Sequence, residues 1–256
     1  SHLIPSSSSP FVMIPFLLAA AATAPAVIAT PQDRVVSKFN DVIIYAPIVQ
    51  GSSAQPRALN FKLNGESRSV YFAAFSPSAI EQIVDERLVP QKLKDAKKIR
   101  FAPFSLSKFD ALIAPSLKND ANARVLYVPD PVQVPLAEAL LIKQGADKIA
   151  AAKVAKEMPM IFCPQPAIKA TPGSGPLKGQ TFVPCSTDYK TVKSMVDKGI
   201  KTNTSLQESS LSVVAIPLRN FSSLLMKSKA SDAGDYRILP NPVNFNFLKE
   251  LRKKNN

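Results

Sequence analysis

Few side chains in this 256-residue chain could do chemistry. A Ser-His-Asp triad or a Cys-His pair needs an imidazole beside its nucleophile. The chain holds one histidine, His2, in the polar, Ser-rich stretch "SHLIPSSSSP", which excludes both arrangements. Two cysteines without an interior histidine also exclude a Cys/His zinc site. Asp110, Asp130, Glu138 and Lys143 could move protons, but they form neither a spaced acid/base pair nor a metal cluster. Only 8 glycines are present and no Gly-rich phosphate loop, so no cofactor is expected. The expectation is a protein with no catalytic or metal residues, and no enzyme. Cys163 and Cys185 lie 22 positions apart. They could form a disulfide in an oxidising compartment or remain two buried thiols, and the sequence leaves both open.

The net charge is +13. The lysines and arginines are scattered and no aromatic-basic ladder interleaves them, so nucleic acid is not an expected partner. A basic solvated surface is the simplest reading, and contact with an acidic partner or anionic lipid is the next. Phe11 to Ala29 runs 19 residues without a charge, near the length that crosses a bilayer. It is rich in Ala and broken by Pro15 and Pro25. A retained membrane anchor and a targeting segment ending at a small-residue cleavage site both fit, and residues 1–35 are read as one such unit.

From Val42 the pattern becomes that of a folded protein with 46% apolar content. "DVIIYAPIV" (41–49) reads as a strand. "RALNFKL" and "ESRSVYFAAF" read as a hairpin around Asn64-Gly65, which supplies the positive φ angles of a tight turn. Ser76-Pro77 opens a helix, with Ser76 as cap and Pro77 in the first turn. "KKIRFAPF" is the next strand, "SLSKFDALI" a helix and "ARVLYV" a strand ending at Pro129-Asp130-Pro131.

The second half repeats this order. "MPMIFCPQPAIKA" and "QTFVPC" are strand-like, "STDYKTVKSMVDKG" is an amphipathic helix, and "LSVVAIP", "LRNFSSLLM" and "YRIL" lead to Pro240-Asn241-Pro242. Phe72 and Phe182 are 110 apart. Leu106 and Leu218, Phe109 and Phe221, and Leu112 and Leu224 are each 112 apart. The two Pro-x-Pro units are 111 apart. Three blocks in register point to a duplicated unit. The expected architecture is α+β, with two tandem related repeats over 36–150 and 151–256. Each repeat is about β-β-α-β-α-β-α. Each Pro-x-Pro reads as a strand-to-helix corner: the first Pro ends the strand, Asp130 or Asn241 caps, and Pro131 or Pro242 takes the first helical position. Pro135 departs from this scheme and moves or kinks the first copy's helix.

These residues carry a family resemblance. "YVPDPVQVPLAEAL", with "IRFAPFSLSKFDALI" and "VYFAAFSPSAIEQIV" before it, resembles the twenty-two-kilodalton component of Tic, the chloroplast inner-envelope protein translocon. "MPMIFCP", "TFVPCSTDYKTV" and "LSVVAIPLRNFSSLL" resemble that family's second half. The resemblance covers roughly residues 42 to 253. It implies a non-enzymatic, chaperone-like import component of the plastid envelope intermembrane space. Its implied partners are precursor proteins, outer-membrane barrel proteins and translocon subunits. The strong positive charge, the apolar segment and the insertion "PQPAIKATPGSGPLKG" depart from the family pattern.

Without the resemblance, a duplicated binding module still fits best, taking extended clients into an apolar groove or along a strand edge. Tyr71, Phe72, Phe75, Phe101, Phe104, Phe182 and Phe221 are the candidate groove residues, each in competition with a plain core role. The alternative is a membrane-tethered accessory subunit of a large plastid membrane complex, attached to an internal plastid membrane through residues 11–29.

Overall fold

The computed structural model describes residues 2–5, 36, 38–49, 55–93, 95–202, 211–227 and 236–254. Phe11–Ala29 lies outside them, and among the described residues no helix is long and apolar enough to cross a membrane. His2–Pro5, expected as a polar tail, forms strand β1, antiparallel to β8 (Ile168–Thr171).

Side chains alternate across a strand, and here both faces are covered. On β2 (Ile43–Pro47), Ile44 and Ala46 enter one core and Tyr45 another. β3 (Leu59–Leu63) and β4 (Glu66–Ala74) form the expected hairpin, with Asn64 at φ 51° and Gly65 at φ 82°. Helix α1 (Pro77–Gln82) begins at Ser76, whose Oγ accepts from Ala79 N–H at 3.1 Å, and continues as a π-helical turn to Leu88. Strand β5 (Phe101–Ser105), helix α2 (Leu106–Asn119) and strand β6 (Ala123–Val128) follow. Then come α3 (Val134–Lys143) and α4 (Lys148–Glu157). The second half runs β7 (Met160–Gln165), β8, β9 (Val183–Ser186), α5 (Tyr189–Thr202), β10 (Ser212–Pro217), α6 (Leu218–Lys227), β11 (Tyr236–Leu239) and α7 (Pro242–Lys254).

The fold is α+β with two mixed sheets. The first runs β5-β2-β4-β6, and β3 pairs with β4 on the side that β2 occupies. The second runs β10-β7-β9-β11. Directions match as well. β2 is antiparallel to β5 and β4, as β7 is to β10 and β9. β4 is parallel to β6, as β9 is to β11. From β2 and from β7 the element order is β-β-β-α-β-α-β-α, one strand more per half than expected.

Five layers result. Helices α2 and α6 lie between the sheets in one central core. There Phe109 and Phe221 meet Ile44, Phe75 and Phe104 of the first sheet and Ile161, Cys163 and Ile216 of the second. Residues of both halves, 36–150 and 151–256, thus share this core. The boundary at 150/151 also falls inside α4. The reason lies in strands apolar on both faces, which need helices on each side.

The outer layers are exchanged between the halves. Helix α3, at the end of the first half, packs Ala137 and Leu141 in a cluster with Met160 and Phe162 of the second sheet. Helix α7, at the end of the second, packs Phe247 and Leu248 against the first sheet's outer face, with Phe247 5.4 Å from Tyr45 in T-shaped contact. One residue of each corner motif locks the exchange. Gln133 donates from Nε2 to Asp188 at 2.9 Å and accepts from Tyr189 N–H at 3.0 Å. Asn244, 111 positions on, donates from Nδ2 to the carbonyls of Phe75 at 3.0 Å and Ile43 at 3.3 Å.

Candidate functional site

The two corners are built alike and start their helices differently. Asp130 Oδ1 accepts from Val132 N–H at 3.1 Å, and Asn241 Oδ1 accepts from Val243 N–H at 3.0 Å. In the second copy α7 begins at Pro242, as expected. In the first, residues 131–133 make a turn closed by Gln133 N–H to the Asp130 carbonyl at 2.9 Å. Pro131 therefore does not take the first helical position. Helix α3 starts at Val134, and Pro135 falls in its opening turn, where no hydrogen bond is lost. Both turns push their valine outward: Val132 is 56% and Val243 51% exposed. They form a matched pair of apolar surface points.

The seven aromatic groove candidates are not brought together. Phe75, Phe104 and Phe221 belong to the central core. Phe72 belongs to the outer face of the first sheet, edge-on to Phe61 at 5.6 Å, and the half-buried Phe101 packs against that cluster. Phe182 is buried beside the β8 bridge under the Arg237 guanidinium. Five of the seven thus have no free face, because strands covered on both sides hide aromatics at odd and even positions alike.

Phe101 and Tyr71 are half-buried, and of these two Tyr71 faces a surface depression. It lines an open depression of about 370 Å³ with Ala58, Ser69, Pro115, Ser116, Asn119, Asp120 and Ala123. The C-terminal end of α2 forms one wall and the starts of β4 and β6 the other. Asp120 ends α2 and accepts Asn122 N–H at 2.8 Å. Arg68 on the rim donates to Asn122 Oδ1 at 3.1 Å. One aromatic ring, small apolar groups and a rim of hydroxyl and amide groups suit a single bulky side chain of an extended peptide.

Of the proton-moving candidates, Asp110 on α2 accepts the Tyr127 hydroxyl of β6 at 2.8 Å. Burial pushes Asp110 up to about 7, against the opposing pull of that hydrogen bond. Burial, then the Asp110 charge, push Tyr127 well above the ordinary phenol range, while Arg219 of α6 opposes them. Asp130 is committed to its turn. Among the described residues no group of three His, Cys, Asp or Glu side chains could hold a metal ion.

Cys163 of β7 and Cys185 of β9 are joined by a disulfide across adjacent antiparallel strands, with Cα atoms 4.4 Å apart. Both are buried in the central core.

The edge of each sheet that carries β5 or β10 is closed by a different device. Gln144, just past α3, donates to the Ala215 carbonyl at 3.0 Å and accepts from Ala215 N–H at 2.8 Å, standing in for a neighbouring strand residue. Pro103 holds the corresponding outward place on β5 and has no N–H to offer. Strand addition at either edge is therefore hindered at its middle. The sequence reading missed Gln133, Asn244 and Gln144. The first two were visible as the fifth residue of each corner motif.

No family model matches this chain, and no curated protein does. Solved structures do. Tic22 of Anabaena, described as a protein-transport protein, matches with a TM-score of 0.63 at 14% identity, over 85% of this chain and 96% of that one. This chain has the Tic22 fold. Tic22 from Plasmodium falciparum matches with a TM-score of 0.61 at 13% identity, over 86% and 98% of the two chains. Because almost all of each Tic22 chain is covered, the Tic22 fold here includes both sheets and the helices that join them.

Proposed function

We propose that this chain is a protein-transport component that holds extended client proteins in a chaperone-like way, in the intermembrane space of the plastid envelope. The observation that carries this reading is the Tic22 fold over 85% of the chain, shared with a protein-transport protein of Anabaena. The clients are precursor or outer-membrane barrel proteins, and translocon subunits are the fixed partners. The chain performs no catalytic step of its own. Client side chains enter the Tyr71 depression, and Val132 and Val243 give two further apolar points related by the repeat. A shallow, dispersed contact of this kind binds weakly and releases without an energy source. The two halves, matched in strand order and direction, descend from one duplicated unit.

Recovery of the protein from intact membranes tests the reading, with mass spectrometry of its partners and of its own N-terminus. Import-channel and barrel proteins, recovered in variable amount, support it. A fixed stoichiometric set of other membrane-complex subunits, with Phe11–Ala29 still attached, overturns it in favour of a tethered accessory subunit.

A further inference from the structure

The exposed face of α7 carries an aromatic ring beside clustered cations. Phe245 is 52% exposed. On the same helix Lys249, Arg252 and Lys253 are exposed, and the Lys249 ammonium sits 4.4 Å from the centre of the Phe245 ring. The buried face of α7 fixes its direction. Asn244 bonds to the Ile43 carbonyl and Phe247 stacks on Tyr45, so the helix runs along β2 from Ile43 toward Pro47. Pro47 pairs with Phe101. The segment just before Phe101 carries Lys97, Lys98 and Arg100, all exposed. The C-terminal end of α7 and this segment therefore lie toward the same end of the first sheet. Among the described residues the two segments expose six cations, of which Lys98 pairs with Asp95 and Lys253 with Glu250, leaving four without a carboxylate in their own segment.

We propose that this face is a docking surface for an anionic lipid bilayer. Phe245 enters the boundary between headgroups and acyl chains, and the cations meet lipid phosphates. Clustered cations alone would suit any polyanion. A half-exposed aromatic ring beside them on one helix face matches the chemistry of a membrane interface, where an apolar group and a cation are satisfied together. The surface is separate from the Tyr71 depression.

The chain has no tryptophan, so Phe245→Trp gives a local reporter in the full-length protein. It is titrated with vesicles of phosphatidylcholine alone and with vesicles containing phosphatidylglycerol, at low and high salt. The expected result is a blue shift of emission with the anionic vesicles at low salt, absent with neutral ones. Reversal of Lys249, Arg252 and Lys253 to Glu should raise the half-point lipid concentration about tenfold or more. Reversal of Lys97, Lys98 and Arg100 to Glu, outside the helix, should act in the same direction and serves if the first variant fails to fold. No shift with anionic vesicles overturns the proposal. So does an equal shift with neutral vesicles, or full binding by both charge-reversed proteins. An equal shift with soluble polyglutamate also overturns it, in favour of an acidic protein.

Discussion

Reduction of the Cys163–Cys185 disulfide gives a worked test of what holds the second sheet. The bond closes a loop with a sequence separation of 22. In the chain-entropy treatment, closing a loop of that length in the unfolded state stabilises the native state by about 3 kcal/mol. For a protein of this size, that amounts to roughly 6–12 °C in Tm. Both sulfurs are buried in the central core, so reductant should reach them only as the protein opens. The experiment is therefore to unfold in reductant, refold, verify two free thiols by alkylation and mass spectrometry, and compare melting curves by circular dichroism. The reduced protein should regain the same far-ultraviolet spectrum and melt at the lower temperature. If reduced and oxidised proteins melt together, the disulfide adds nothing to the packing of β7 against β9, and the argument from chain entropy fails here.

Three further outcomes follow from named contacts. Asp110→Asn keeps the Tyr127 hydrogen bond and removes a buried charge. Because the folded pKa of Asp110 is raised from 3.8 to about 7, the wild-type protein loses stability as pH rises from about 4 through 7. The variant should be the more stable protein above pH 7, by no more than about 4 kcal/mol, and the gap should vanish below about pH 4; urea titrations at several pH values measure it. Gln133→Ala removes a donor from the buried Asp188 carboxylate and the acceptor of the part-buried Tyr189 N–H, and should cost about 2 kcal/mol. Asn244→Ala should cost less, since Asn244 Oδ1 is already buried without a partner, and urea midpoints of the two variants compare them. Gln144→Leu frees the N–H and carbonyl of Ala215 on the edge strand, and light scattering on warming should show earlier aggregation than wild type.

Much of the fold was legible because local rules and tertiary packing agree. Asn64-Gly65 forced a tight turn, Ser76-Pro77 opened a helix, and the 112-residue spacing of Phe109 and Phe221 pointed to two helices that do meet in one core. What the sequence hid is which sheet each helix covers. Periodicity shows that Ala137 and Leu141, or Phe247 and Leu248, share an apolar face; it carries no information about the surface that face meets. The exchange of α3 and α7 was therefore invisible, although Gln133 and Asn244 stood in plain view within the motif. The aromatic groove failed for a related reason. A strand with one solvated face would have left Phe72 or Phe75 outside, but these strands are sandwiched, and alternation sorted the aromatics between two cores instead of between core and surface.

The exchanged helices also govern the order in which the chain can mature. The sheet built from its early residues is roofed by its last helix, and the roof over the later sheet is made before that sheet exists. A chain emerging from a ribosome, or threading through a membrane pore with its N-terminus leading, carries an uncovered outer face around Tyr45 until Phe247 arrives. Completion thus waits for the whole polypeptide to be delivered, and a chain stalled in transit displays an apolar surface that marks it as unfinished.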